Sequence, residues 1–206
     1  MMLQGMTVDM LIRSVRKLEP GDTILIHAAA GGVGLIMCQW ASAAGATVIG
    51  TVSSEEKAEL ARANGCHHPI IYTRQDFVAE VDRITGGAKV PVVYDSVGRD
   101  TFLGSLDCLQ KRGLMVSFGQ SSGSVEPFAP GLLSQKGSLF LTRPTLFDYV
   151  ASRRELEASA TSLFEAVRSG KIKVEIGQRF ALSDAEMAHR ALESRQTIGS
   201  TILTVD

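Results

Sequence analysis

Short apolar runs bounded by turn residues alternate along this chain with stretches whose apolar positions recur every three or four residues, the alternating signature of strands and helices. Val8, Leu11, Ile12 and Val15 lie at helical spacing and predict an amphipathic helix over residues 7–17, ended by Leu18-Glu19-Pro20-Gly21-Asp22. A first strand is predicted over 23–26, followed by small residues, closely spaced glycines and a helix to about residue 44 that Gly45 closes. A second strand covers 47–52. Ser53 or Ser54 then caps a helix with Glu55 and Glu56 in its first turn, which stops at Asn64-Gly65. Strands are predicted at 70–72, 90–94, 113–119 and 138–142, with helices at 76–84 and 100–109 between them. The run at 90–94 is apolar throughout, as expected of a strand covered on both faces of a parallel sheet.

Strand and helix joined by short connections favour a doubly wound parallel sheet of the Rossmann kind, an α/β fold over residues 1–172. In such sheets ligands sit beyond the carboxyl ends of the strands. The loops at 28–34, 53–57, 96–98 and 119–123 are therefore expected to meet in one cleft. After Pro144 the pattern changes to a helix over 153–169, a strand at 174–182, a capping-box-like Ser183-Asp184-Ala185-Glu186 opening a helix to residue 195, and a last strand at 199–205. Residues 173–206 read as part of another structural unit.

The stretch from the first strand into its helix, His27-Ala-Ala-Ala-Gly-Gly-Val-Gly34, carries the chemistry. Gly31 and Gly34 allow a sharp turn and close backbone approach, while the amides of Gly32, Val33 and Gly34 lie at the positive end of a helix. Their natural ligand is a pyrophosphate. The spacing is Ala28-x-x-Gly31-x-x-Gly34 rather than the stricter G-x-G-x-x-G, and a tight turn in any α/β protein is the alternative reading. A site that prefers NAD carries an acid at the end of the second strand, roughly 20 residues past the glycines. Here that strand ends in Ser53-Ser54, and Glu55 and Glu56 sit where a helix start favours acids anyway. The hydroxyls and Lys57 suit a ribose 2′-phosphate, so NADPH is the expected cofactor. The alternative for Lys57 is a solvated residue paired with a neighbouring glutamate.

Composition narrows the classes further. The 206 residues are 45% hydrophobic and 21% charged, with 21 basic and 22 acidic side chains and a formal charge of −1, which makes no electrostatic case for nucleic acid or an acidic membrane. Cys38, Cys66 and Cys108 form no metal or disulfide pattern, and neither a secretory signal nor a membrane-length apolar run is present, so a cytoplasmic protein is expected. Cys66-His67-His68 lacks the ligands of a metal site. Asp95-Ser96 with His27 or His189 has no G-x-S-x-G elbow to make it a hydrolase trio.

Beyond these readings, His27-Ala-Ala-Ala-Gly-Gly-Val-Gly34, Val92-Val-Tyr-Asp-Ser-Val-Gly98, Arg112-Gly-Leu-Met-Val-Ser-Phe-Gly119, Gln135-Lys-Gly-Ser-Leu139 and Arg143-Pro144 together resemble the zinc-free quinone oxidoreductase (zeta-crystallin-like) branch of the medium-chain dehydrogenase/reductase superfamily. The resemblance implies pyrophosphate contact by Gly32, Val33 and Gly34, and 2′-phosphate contact by Ser53, Lys57 and Tyr72. It implies that Ser96 lies by the adenosine, that Phe118, Gly119, Gln120 and Ser121 line the ribose and nicotinamide, and that Arg195 approaches the cofactor from the tail. Tyr72 is also readable as a buried sheet-edge residue.

By the same resemblance the activity is hydride or electron transfer from NADPH to a quinone or related enone, with no residue of this chain as acid, base or nucleophile. Enoyl reductases share the glycine turn, and a non-catalytic NADPH-binding module is the alternative of a different class. Relatives carry a long region ahead of this one, most of a GroES-like catalytic domain, of which residues 173–206 resemble the returning C-terminal segment. They also commonly pair as homodimers through the strand near Phe140, an apolar edge open to pairing.

Overall fold

A computed structural model describes residues 1–194 and 197–205, so Arg195 lies outside the described residues. Six parallel strands form one sheet: β1 (Thr23–Ile26), β2 (Thr47–Val52), β3 (His68–Ile71), β4 (Val90–Asp95), β5 (Leu109–Ser117) and β6 (Phe140–Thr142). Their order across the sheet is β3-β2-β1-β4-β5-β6, so the order in which strands are laid down reverses between β1 and β4. The doubly wound sheet expected from the alternating pattern is thus the fold. The first two strands fall on the predicted residues.

Period-two alternation divides the sheet's side chains between two cores. Ile24, Ile26, Val92, Tyr94 and Val116 face one layer, and Leu25, Ile49, Val93 and Met115 face the other. The first layer holds α1 (Met2–Asp9), α2 (Gly32–Ala43), α3 (Glu55–Ala63) and α8 (Arg153–Arg168), and the second α4 (Phe77–Thr85) and α5 (Phe102–Asp107). Pro91 sits inside β4, where the register with β5 shifts between Val90 and Val92, a place that does not require its missing N–H.

The structure departs from the sequence reading in several places, each with a local cause. The first helix begins at Met2, not residue 7, because Gly5 is no breaker here. A Cβ on Gly5 would stand 2.4 Å from Leu163 Cδ1, so the bare backbone lets α8 pack close. Its continuation, Met10–Val15, is π-helical, with Arg16 N–H bonded to Leu11 O at 3.2 Å and the buried Tyr94 hydroxyl donating to the same carbonyl at 3.3 Å. The capping box forms at Ser152 and Glu155 of α8. It does not form at Ser183–Glu186, where a 3₁₀ turn (Leu182–Asp184) leads into α9 (Ala185–Glu193) and Asp184 makes no side-chain cap. Two short helices, α6 (Gly131–Gln135) and α7 (Leu146–Tyr149), lie in stretches without clear periodicity.

The tail is a strand-helix-strand piece as expected: β7 (Ile176–Ala181) pairs in parallel with β8 (Ser200–Thr204) in a separate two-stranded sheet. It is tied to the large sheet at the glycine turn, where Gly199 N–H donates to Ala30 O at 3.0 Å, and at α2, where Gln39 exchanges two hydrogen bonds with the backbone of Lys173. No helix among the described residues is long and apolar enough to cross a membrane.

Candidate functional site

The turn after β1 is shaped by contacts that only glycine permits. A Cβ on Gly34 would stand 2.2 Å from Ala28 O and 2.7 Å from Ala29 C, both rigid backbone atoms. Ala28 itself takes a positive φ of 56°, uncommon for a residue with a side chain, and Gly31 N–H closes the turn onto Ala28 O at 2.9 Å. The ladder of α2 starts with Leu35 N–H on Gly31 O. The amides of Gly32, Val33 and Gly34 therefore have no acceptor within the helix and stand at the positive end of a 12-residue dipole. This cradle fits a phosphate group: it offers convergent donors and no side chain at its most constrained point.

The other predicted loops follow the carboxyl ends of β2, β4 and β5, on the same edge of the sheet. Ser121 N–H donates to Ser96 O at 3.1 Å, Ser122 N–H to Val97 O at 2.9 Å, and Arg99 N–H to Gly123 O at 3.1 Å, so the loops after β4 and β5 are interlocked. A Cβ on Gly119 would stand 2.6 Å from Ser96 O, which is why the crossing needs a glycine. Phe118 is half-buried against the α2 side of the core, while Gln120 and Ser121 are exposed.

At the end of β2, Ser54 Oγ caps α3 by accepting from Lys57 N at 3.3 Å, which leaves Ser53 as the serine outside the cap. Glu55 and Glu56 are exposed in the first turn, as acids favoured by the dipole are. Lys57 is half-buried on the same turn. Thr73 Oγ1 donates to Ser53 O at 3.0 Å and Tyr72 N–H to Val52 O at 3.1 Å, bringing the loop after β3 beside Ser53. Tyr72 lies just past the end of β3 and is 41% exposed, so the reading of a buried sheet-edge tyrosine is corrected: the strand stops one residue earlier than predicted.

Beneath these loops runs a buried polar network that sequence reasoning missed. His27 is bonded through Nδ1 to Thr51 Oγ1 and through Nε2 to Ser105 Oγ, both at 2.9 Å, and its ring meets Phe77 edge-on at 5.0 Å. Ser105 and Thr101 donate to Asp95 Oδ2 at 3.0 and 2.7 Å, while Val97 and Gly98 amides donate to Oδ1 at 2.7 and 3.0 Å. Burial lowers the His27 pKa below its ordinary value of 6.5, and the Asp95 charge offsets this only in part, so the imidazole is neutral at pH 7. His27 and Asp95 do come together, but through Ser105 and out of solvent. Ser96 is no part of the relay, so this is not a hydrolase trio. No local signal links Ser105 to His27, which is 78 residues away.

The other candidate ligands do not assemble. His67 and His68 are exposed, His67 Nδ1 accepts from Val48 N at 3.0 Å, and no group of three or more potential metal-binding side chains clusters among the described residues.

Comparison with known proteins agrees with this geometry. The family model described as zinc-binding dehydrogenase matches residues 32–165. A quinone oxidoreductase of Pseudomonas aeruginosa is 53% identical over 98% of this chain and 62% of its own length, and a 2-haloacrylate reductase of a Burkholderia species is 50% identical over 98% and 61%. The crystal structure of Escherichia coli quinone oxidoreductase complexed with NADPH superposes with a TM-score of 0.96 at 53% identity, over 98% of this chain and 62% of that one. The chain thus spans about three fifths of these relatives. It belongs to the zinc-binding dehydrogenase family, within the medium-chain dehydrogenase/reductase superfamily.

Proposed function

We propose that the cleft binds NADPH and that the whole protein uses it to reduce a quinone or related enone. The observation that carries the cofactor reading is the end of β2. Ser53 and the half-buried Lys57 stand there, while Glu55 and Glu56 are solvent-exposed in the first turn of α3. In this reading Gly31 shapes the turn, Gly32, Val33 and Gly34 amides hold the pyrophosphate, and Ser53, Lys57 and Tyr72 hold the 2′-phosphate. Ser96 lies by the adenosine, and Phe118, Gly119, Gln120 and Ser121 border the ribose and nicotinamide. The cofactor supplies the hydride when bound. The chain's own residues bind and orient it, and none is assigned as acid, base or nucleophile.

Residues 1–172 form the nucleotide-binding unit in this reading, and 173–206 belong with a catalytic unit whose remaining part gives the nicotinamide a water-poor pocket. Orientation within such a pocket supplies about 7–11 kcal/mol of a hydride-transfer barrier. Three buried, unpaired cysteines suit a reducing cytoplasm. The zinc-free reading rests on the resemblance of the quoted sequence stretches to the zinc-free branch.

A fluorescence titration with NADPH and NADH side by side tests the cofactor. A charge-assisted bond to the 2′-phosphate contributes about 1.5–3 kcal/mol, so Lys57→Ala should weaken NADPH binding roughly tenfold to a hundredfold and leave NADH within about twofold. Equal losses for both nucleotides would refute the 2′-phosphate assignment. Turnover with a quinone, a 2-haloacrylate and an enoyl thioester, assayed on the protein with its catalytic unit, separates the substrate classes.

The edge strand β6, with Phe140 62% exposed, supports a homodimer joined edge to edge. Phe140→Lys should then lower the sedimentation mass from dimer to monomer, and a wild-type monomer would sink the idea.

A further inference from the structure

The hydrogen bonds around His27 have only one consistent direction. The amides of Val97 and Gly98 can only donate, which makes Asp95 Oδ1 an acceptor twice over. Oδ2 of the same carboxylate faces two hydroxyls, so Ser105 spends its proton on it, 3.0 Å away. Ser105 Oγ must then accept from His27 Nε2–H at 2.9 Å. A neutral imidazole carries one proton, so Nδ1 is bare and accepts from the Thr51 hydroxyl at 2.9 Å. These groups are all buried: Thr51 is 2% exposed, His27 1%, and Asp95 and Ser105 are not exposed at all.

The direction matters because of where the network ends. Thr51 is two residues before Ser53 on β2, and its carbonyl accepts from Ala29 N–H of the glycine turn at 3.0 Å. Asp95 ends β4 and holds the two amides that follow Ser96. His27 directly follows β1 between them, at the place where strand order reverses. We infer that His27 is a positioning residue for the dinucleotide site: as the Nε2–H tautomer it joins Thr51 to Asp95 through Ser105 and holds the loops after β1, β2 and β4 in mutual register. This inference rests on the NADPH reading of the cleft. His27 touches neither cofactor nor substrate in this role. Its cross-links are strongest in a site closed to water, where an unmatched donor or acceptor is costly.

The tautomer is read by long-range ¹H–¹⁵N correlation on the uniformly labelled chain. At pH 7 His27 should show a protonated Nε2 and a bare Nδ1, its resonances being identified by their loss in His27→Gln. Asp95→Asn keeps an oxygen for the two backbone amides and turns an NH₂ toward Ser105. The run should reverse, moving the imidazole proton to Nδ1. In NADPH titrations, His27→Leu should bind about tenfold more weakly, and His27→Gln, whose amide can still donate toward Ser105, should recover part of that loss. Ser105→Ala, a smaller change, should weaken binding at least threefold and covers the case in which His27→Leu does not fold.

An Nδ1–H tautomer in the wild type, or NADPH affinity within twofold of wild type in folded His27→Leu and Ser105→Ala, overturns the inference. A wild-type chain that binds no NADPH while showing the Nε2–H tautomer refutes the nucleotide reading instead, and with it the positioning role, but leaves the network as drawn.

Discussion

The six-stranded sheet and the two-stranded sheet of the tail obey the same pairing rules and differ in what covers them. Every residue of β4 except Pro91 is buried, and β2 is buried from Val48 onward. No residue of β7 or β8 is buried, and Ile176, Leu182, Met187, Leu192, Leu203 and Val205 are exposed. Hydrogen-bonded pairing alone makes a strand, but apolar burial makes it stable, at roughly 25 cal/mol per Å² removed from water. The large sheet can therefore hold strained or costly features at its carboxyl edge, such as Ala28 with φ 56° and a buried imidazole. The tail lacks that reserve, and its hold on the rest includes the backbone bond from Gly199 to Ala30.

Truncating one leucine in each region breaks the comparison most directly. Leu25→Ala removes a fully buried side chain at the centre of the sheet and should cost about 2–5 kcal/mol in urea unfolding. Leu25→Ala costing less than about 1 kcal/mol would mean that the sheet is not the main store of stability.

A smaller effect sharpens the electrostatic side. Because the folded pKa of His27 lies below 6.5, the unfolded chain binds this proton more readily. His27 therefore contributes no pH dependence above about 6.5. As pH falls below that value, its contribution lowers stability by up to about 1.4 kcal/mol per unit until the folded pKa is reached. Urea midpoints between pH 5 and 8 should show this slope in wild type and not in His27→Gln. An identical slope in the variant would assign it to other groups.

The smallest change is expected in the tail: Leu203→Ala, at a side chain already 39% exposed, should shift global stability by no more than about 0.5 kcal/mol. A loss as large as that of Leu25→Ala would mean that the two sheets unfold as one cooperative unit.

The sequence alone determined the alternation of strands and helices, the bounds of β1 and β2, the glycine turn, and the loops that follow each parallel strand. These follow from local periodicity, from glycine's lack of a Cβ, and from a rule of parallel sheets that needs no coordinates. Gly5 inside a helix, the π-helical turn and the stop of β3 before Tyr72 were decided by neighbours distant in sequence: a leucine of α8, the Tyr94 hydroxyl and the pairing limit of β2. The same holds for the site's interior. His27, Thr51, Asp95, Thr101 and Ser105 carry no motif as a set, and their meeting depends on strand order, on burial that forces every polar group to find a partner, and on the single direction their protons can then take.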